Sequence, residues 1–92
     1  MAKTKTFNGI NSTIWECVKK TGAKHGAVYA PAESNRGTAT NDTPVGTVVL
    51  TFDFDPSAEK VTYVITKRPF IVSDEQIWDT VQKTINSCSS KS

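Results

Sequence analysis

The chain has 92 residues, a mass of 10.0 kDa and a formal net charge of +2, which fits one small domain. Apolar residues make up 37% and charged residues 22%, a balance too apolar for a disordered tail. The apolar residues are also too scattered for a membrane span, which needs about 20 successive apolar residues. No apolar stretch follows the N-terminal lysines, so no secretory signal is expected.

The first predicted element is a helix that begins near Asn11 or Ser12, since both residues are good N-caps. Ile14 and Val18 recur at helical spacing and form part of an apolar stripe. Gly26 ends the helix because glycine readily adopts the left-handed conformation.

A short strand, Ala27–Ala30, is predicted next, and a long loop follows it over residues 31–46. The loop is rich in Ser, Asn, Gly, Asp and Pro. A short edge strand around Thr38 to Thr40 is an alternative, but no apolar pattern supports it. The loop is expected to be mobile or functional, mobile being the commoner case.

A hairpin is the clearest predicted element. Thr47–Asp55 and Val61–Thr66 both alternate between apolar and polar residues, and residues 56–59 form the loop between them. Pairing Asp55 with Lys60 places the large apolar side chains on one face, whereas a slip of one residue would scatter them. The cross-strand apolar pairs in this register are Phe54 with Val61, Phe52 with Tyr63, and Leu50 with Ile65.

A second helix is predicted from the capping box Ser73–Gln76 to about Cys88. Its buried stripe includes Ile77, and Trp78 lies beside that residue just as Trp15 lies beside Ile14. Both tryptophans are therefore interpreted as core-edge residues rather than as anchors for a partner.

Together these elements predict an α+β fold, a two-layer sandwich in the order α-β-β-β-α. Two helices pack on one face of an antiparallel sheet. Residues 1–92 form a single domain in this prediction, with flexible ends at 1–9 and 88–92.

The cysteines and acidic residues give little sign of catalysis. Cys17 and Cys88 are too far apart for a zinc-finger spacing. They are expected to be free structural thiols in a reducing cytoplasm, with a disulfide or a redox role as the less favoured alternative. Asp53 and Asp55 end an apolar strand, as in haloacid-dehalogenase-type phosphotransferases, but a hairpin follows them and the chain is too short for the other catalytic residues. His25 is interpreted as a helix-capping residue. No enzyme, metal or cofactor is predicted.

Two surfaces are candidates for interactions. Residues 1–30 carry five lysines and one acid, so Lys19, Lys20 and Lys24 form a possible nucleic-acid face, although a solvated basic face is the favoured interpretation. The side of the sheet that the helices leave bare is the other candidate, because it is flat and cheap to desolvate. Its predicted members are Val49, Thr51, Thr62, Val64 and Thr66.

Four segments carry a resemblance: Ser12–Lys19, Thr47–Phe54, Lys67–Phe70 and Ile77–Asp79. In these the chain resembles a group of small uncharacterised proteobacterial proteins. The resemblance implies a bacterial origin and no assigned activity, and no functional residue is carried over from it.

The function that the sequence favours is a non-enzymatic binding or interaction module of a bacterial cell, cytoplasmic and without a membrane span. Its partner would be an unknown protein or a second copy of the chain. Weak nucleic-acid binding is the alternative, and a small-molecule pocket under the long loop is the third hypothesis.

Overall fold

A computed structural model describes residues 3–30 and 35–89. Within them, five strands form one antiparallel sheet in the order β1-β5-β4-β3-β2, and two helices pack on one of its faces. The α+β class and the antiparallel sheet covered by helices on one face are confirmed, but the sheet has five strands instead of three. The elements are β1 Thr4–Asn8, α1 Ser12–Lys24, β2 Ala27–Ala30, β3 Arg36–Thr43, β4 Gly46–Asp55, β5 Lys60–Lys67 and α2 Asp74–Ser89.

The predicted register of the β4–β5 hairpin is confirmed, from the Asp55–Lys60 pair to the pairing of Leu50 with Ile65. Beyond Leu50 the register shifts, because Val49 pairs with Lys67 and leaves Thr66 as an extra residue on β5. The Thr66 hydroxyl donates a hydrogen bond to the Val49 carbonyl oxygen at 3.1 Å, which stabilises this bulge.

The predicted loop over 31–46 was wrong for residues 36–43, which form β3. This strand lies between β2 and β4 and pairs with both, so its backbone is satisfied on two sides although Ala39 is its one fully buried residue. Residues 31–34 lie outside the described part of the chain.

The predicted flexible ends were also partly wrong. Thr4–Asn8 forms the edge strand β1, which pairs with β5 and buries Phe7. Cys88 is buried within α2, which ends at Ser89. Residues 1–2 and 90–92 lie outside the described residues.

Both helices begin with side-chain caps. Asn11 caps α1, since its Oδ1 accepts a hydrogen bond from the Ile14 backbone N–H at 2.8 Å. At the start of α2 the predicted capping box is present: the Ser73 N–H donates to Gln76 Oε1, and the Gln76 N–H donates to Ser73 Oγ.

A buried ion pair fixes the segment that leads into α2. Asp74 is only 2% exposed, and its Oδ1 accepts a hydrogen bond from Arg68 Nε at 2.6 Å. Arg68 also donates to the carbonyl oxygen of Val72 at 2.7 Å. The pair therefore ties the end of β5 to the first turn of α2.

The core lies between the sheet and the helices, and both tryptophans are buried in it, as predicted. The Trp15 ring stacks on Phe54 at a centroid distance of 5.1 Å and contacts Phe52 at 5.3 Å. Trp78 packs against Tyr63 on the same side of the sheet. These contacts dock each helix on the β4–β5 hairpin.

A disulfide joins Cys17 of α1 to Cys88 of α2, so the prediction of free thiols was wrong. The two Cα atoms are 5.8 Å apart although the residues are separated by 71 positions in sequence. The helices lie side by side on the sheet, and this packing brings the middle of α1 to the end of α2. The spacing of the two cysteines in the sequence gives no sign of this contact.

Candidate ligand-binding site

A half-open cavity of about 370 Å³ lies between the two helices and the helix-covered face of strands β2 to β5. Aliphatic side chains supply much of its wall. The main ones are Val18, Val45, Val48, Leu50, Ile77 and Val81. The cavity is therefore a largely apolar recess that is open to solvent at one side.

Small side chains on β2, β3 and α1 make room for the cavity. Ala27 of β2 and Ala39 of β3 both line it, where larger residues would fill the space. Gly22 of α1 also lines it, and a Cβ atom at that position would collide with the Tyr29 hydroxyl. A glycine in this helix therefore lets Tyr29 pack directly against α1.

Two tyrosines supply polar groups to the apolar wall. Tyr29 is half-buried and packs edge-on against Phe52 at a centroid distance of 5.9 Å, whereas Tyr63 is only 3% exposed. Burial raises the pKa of both phenols, and the neighbouring Tyr29 raises the pKa of Tyr63 further. Both groups are therefore neutral and protonated at ordinary pH.

Most other polar side chains of the wall are already hydrogen-bonded to backbone. The hydroxyls of Thr80 and Thr84 donate to carbonyl oxygens one turn earlier in α2, at 3.0 and 3.1 Å. Thr43 Oγ1 donates to the Gly46 carbonyl oxygen at 2.7 Å. These hydroxyls therefore have no proton left to donate to a bound molecule.

The Tyr29 and Tyr63 hydroxyls differ from them, because within residues 3–30 and 35–89 neither makes a hydrogen bond. Asn41 and the exposed His25 add an amide and an imidazole to the lining. Among the described residues, no lysine, arginine, aspartate or glutamate lines the cavity. The recess thus combines apolar walls with a few neutral hydrogen-bonding groups.

The sheet-face residues predicted from the sequence lie together on the side opposite the helices. Thr51 pairs directly with Val64, and the other three follow at alternate positions or beside them across the strands. Thr66 is exposed and the remaining four are half-buried. Unpredicted strands extend this face, because Thr4 pairs with Val64, Thr38 with Thr51, and Thr40 with Val49.

The predicted nucleic-acid face is only partly free. The Lys19 side chain is 11% exposed, forms an ion pair with Glu16 at 3.4 Å, and lies over the Trp15 ring at 5.7 Å. Lys20 and Lys24 are exposed. Two of the three lysines are therefore exposed to solvent, whereas the third packs over the buried Trp15 ring.

The acidic residues of β4 have structural roles. Asp53 forms an ion pair with Arg36 of β3 at 3.3 Å. Asp55 Oδ1 accepts hydrogen bonds from the backbone N–H groups of Ser57 and Ala58, which shapes the hairpin loop. No group of metal-ligating side chains occurs in the described ranges. His25 is the C-cap residue of α1, at the position where it was expected.

Sequence reasoning placed a small-molecule pocket under the long loop as its third hypothesis, but it did not identify the residues of the recess. Several of them belong to β3 and the turn after it, where the sequence shows no apolar alternation. Gly22 inside an otherwise regular helix was the available signal, since such a glycine often marks a close contact.

Neither the helices nor the comparisons with known proteins identify a class of protein for this chain. Neither α1 nor α2 is long and apolar enough to cross a membrane. No protein-family model, no curated protein and no solved structure matches the chain, so the geometry of the recess is what supports a function.

Proposed function

We propose that the protein is a non-enzymatic binding module and that the recess between its helices and sheet takes up a small, largely apolar molecule. The observation that carries this proposal is the cavity of about 370 Å³ with mainly aliphatic walls and a few unpaired polar groups. Small-molecule sites typically enclose about 300–1,000 Å³ and have this composition.

The walls of the recess belong to elements that are fixed independently. The Cys17–Cys88 disulfide holds α1 to α2, and the Arg68–Asp74 ion pair holds the start of α2 to the end of β5. A cavity with walls held in this way needs little ordering when a molecule enters, which favours affinity.

The chemistry of the wall supports binding over catalysis. Its aliphatic side chains gain free energy when they exclude water, at about 25 cal/mol per Å² of buried apolar surface. The Tyr63 phenol has its pKa raised by burial, so it keeps its proton and acts as a hydrogen-bonding group rather than as a base.

A neutral apolar dye tests the proposal. N-phenylnaphthylamine fluoresces when it enters an apolar cavity, and we expect it to bind the wild-type protein. Val48→Phe fills the recess and should weaken dye binding about tenfold or more. Residue 49 lies on the opposite face of the sheet, so Val49→Phe should change dye binding by less than about twofold. The two variants place the same substitution at neighbouring positions of β4, so each controls for the other.

Ala39→Phe is a second filling variant for the case that Val48→Phe does not fold, which circular dichroism would show. Equal dye binding by the wild type and by both folded variants would overturn the proposal, as would the absence of dye binding to the wild type.

The bare sheet face is a second candidate, for self-association or for a protein partner. Thr4, Val64, Thr51 and Thr38 pair in a line across four of the five strands, so the centre of this face is β-branched and uncharged there. Two such faces can pack against each other, as the sheets of a β-sandwich do.

Substituting both Val49 and Val64 with lysine should abolish dimerisation or partner capture while leaving the fold cooperative, because the charges would be buried in the interface. Light scattering measures the oligomeric state. The matched control is lysine at Ser57 and Ala58 in the exposed hairpin loop, which adds the same charge elsewhere. The face has no role if the wild-type protein is strictly monomeric and a captured partner still binds the double mutant.

The remaining predictions from the sequence stay predictions. Nucleic-acid binding has the exposed Lys20 and Lys24 to support it, but Lys19 is occupied by Glu16 and Trp15. The cytoplasmic location and the bacterial origin also stay predictions. A disulfide is more typical of oxidising compartments than of a cytoplasm. Alkylation of Cys17 and Cys88 in fractions of the native cell would decide whether the pair is reduced there.

A further inference from the structure

We propose that the recess selects an uncharged molecule with an apolar body and a hydrogen-bond acceptor, such as a ketone, ester or ether oxygen, to which the hydroxyls of Tyr29 and Tyr63 donate. This inference rests on the proposed function, because it names the chemical class of the molecule that the same recess would hold.

The unpaired Tyr63 hydroxyl is the first argument. The Tyr63 side chain is 3% exposed and lines the recess, and no hydrogen bond of its hydroxyl occurs within the described residues. This hydroxyl is not one of the fully enclosed polar atoms that lack a partner, so a molecule in the recess can reach it. Buried tyrosine hydroxyls usually have a partner, because an unsatisfied polar group in an apolar surrounding is unfavourable. A molecule that brings an acceptor atom into the recess would supply that partner.

Tyr29 makes a second donor available at the same place. Its ring packs edge-on against Phe52, its hydroxyl lies against Gly22 of α1, and it also has no hydrogen bond within the described residues. Both phenols line the same recess. Two donors in one recess suit a molecule with one or two acceptor oxygens, such as a ketone or an ester.

The absence of charged side chains from the described part of the wall argues for an uncharged molecule. A carboxylate or an ammonium group would leave water and find no opposite charge beside it. His25 is the one ionisable lining residue besides the tyrosines, and it is exposed. The site is therefore built to take an apolar molecule with neutral polarity at one point.

The protonation state of the phenols makes both of them available as hydrogen-bond donors. Burial raises the pKa of both tyrosines, so each hydroxyl keeps a proton to donate. Because the surrounding wall is aliphatic, water competes poorly for that donor, and the bond contributes to selectivity.

Prodan, a naphthalene that carries a propionyl ketone and a dimethylamino group, is a suitable probe because its emission shifts when its carbonyl accepts a hydrogen bond. Its propyl analogue, which has a methylene in place of the carbonyl, is the matched probe without the acceptor. Anilinonaphthalene sulfonate is the anionic probe of similar ring size. We expect prodan to bind the wild-type protein more tightly than either of the others.

The variants Tyr29→Phe and Tyr63→Phe keep the rings and remove only the hydroxyls. Each should weaken prodan binding about three- to tenfold, the effect of one neutral hydrogen bond, and shift its emission toward that of a non-hydrogen-bonding surrounding. Binding of the propyl analogue should change by less than about twofold.

The outcomes separate this inference from the proposed function. If the propyl analogue binds but prodan gains nothing from either hydroxyl, or if the sulfonate binds most tightly, the chemical class is wrong while the recess is still a binding site. If neither neutral probe binds the wild-type protein, the proposed function itself fails.

Discussion

Replacing Phe52 by alanine should lower the free energy of unfolding by about 3–5 kcal/mol, which is the usual cost of emptying a buried aromatic site. Phe52 is 1% exposed and contacts both Trp15 of α1 and Tyr29 of β2. The substitution would therefore loosen the contact of a helix and an outer strand with the hairpin, in a domain with a small core. Chemical denaturation followed by tryptophan fluorescence measures the loss.

Thr51→Ala is the matched control for this experiment, because Thr51 precedes Phe52 in β4 and lies on the opposite, helix-free face. Its side chain is half-buried, so we expect a loss below about 1 kcal/mol. Similar losses for the two variants would contradict the assignment of the core to the helix-covered face.

Removing the disulfide should have the second large effect. Replacing both Cys17 and Cys88 by alanine should lower the free energy of unfolding by about 2–5 kcal/mol. The bond closes a loop across 71 positions and so restricts the unfolded chain strongly. Cys88 is also buried, and alanine there adds a small cavity to the loss.

The wild-type protein under a thiol reductant separates these two contributions. Reduction opens the loop but leaves both sulfur atoms in place, so it should give most of the loss found for the double variant. Thermal unfolding with and without the reductant measures it. An unchanged transition after complete reduction, checked by alkylation of both thiols, would show that the disulfide contributes nothing to stability.

The sequence predicted the parts of the fold in which one face of an element is apolar. In β4 the alternation of Leu50, Phe52 and Phe54 determines the register with β5, because a slip would expose all three. The caps Asn11 and Ser73 similarly placed the starts of both helices, since local hydrogen bonds decide them.

Strands β1 and β3 could not be predicted in this way. β3 buries Ala39 and otherwise carries polar or small residues, so it is a strand because β2 and β4 pair with it on both sides. β1 buries Phe7 alone and depends on the free edge of β5. Their pairing is a tertiary effect that outweighs local propensity.

The recess and the disulfide depend on those same tertiary contacts. Ala39 and Asn41 belong to the binding site only because β3 lies within the sheet, under the helices. Cys17 and Cys88 meet only because α1 and α2 dock side by side. Neither feature has a signature within one segment of sequence, so the candidate site emerged from the structure rather than from a motif.

The disulfide also has a topological consequence. Together with the chain from residue 17 to residue 88 it closes a covalent ring that includes β2, β3, β4 and β5, whereas β1 lies outside the ring. In the oxidised protein, a strand inside the ring cannot be exchanged with a second copy unless one chain is threaded through the closed ring of the other. β1 is an edge strand that pairs with β5 alone, and it is free of that constraint. Among the five described strands, β1 is therefore the one that oxidised monomers can exchange in a domain-swapped dimer.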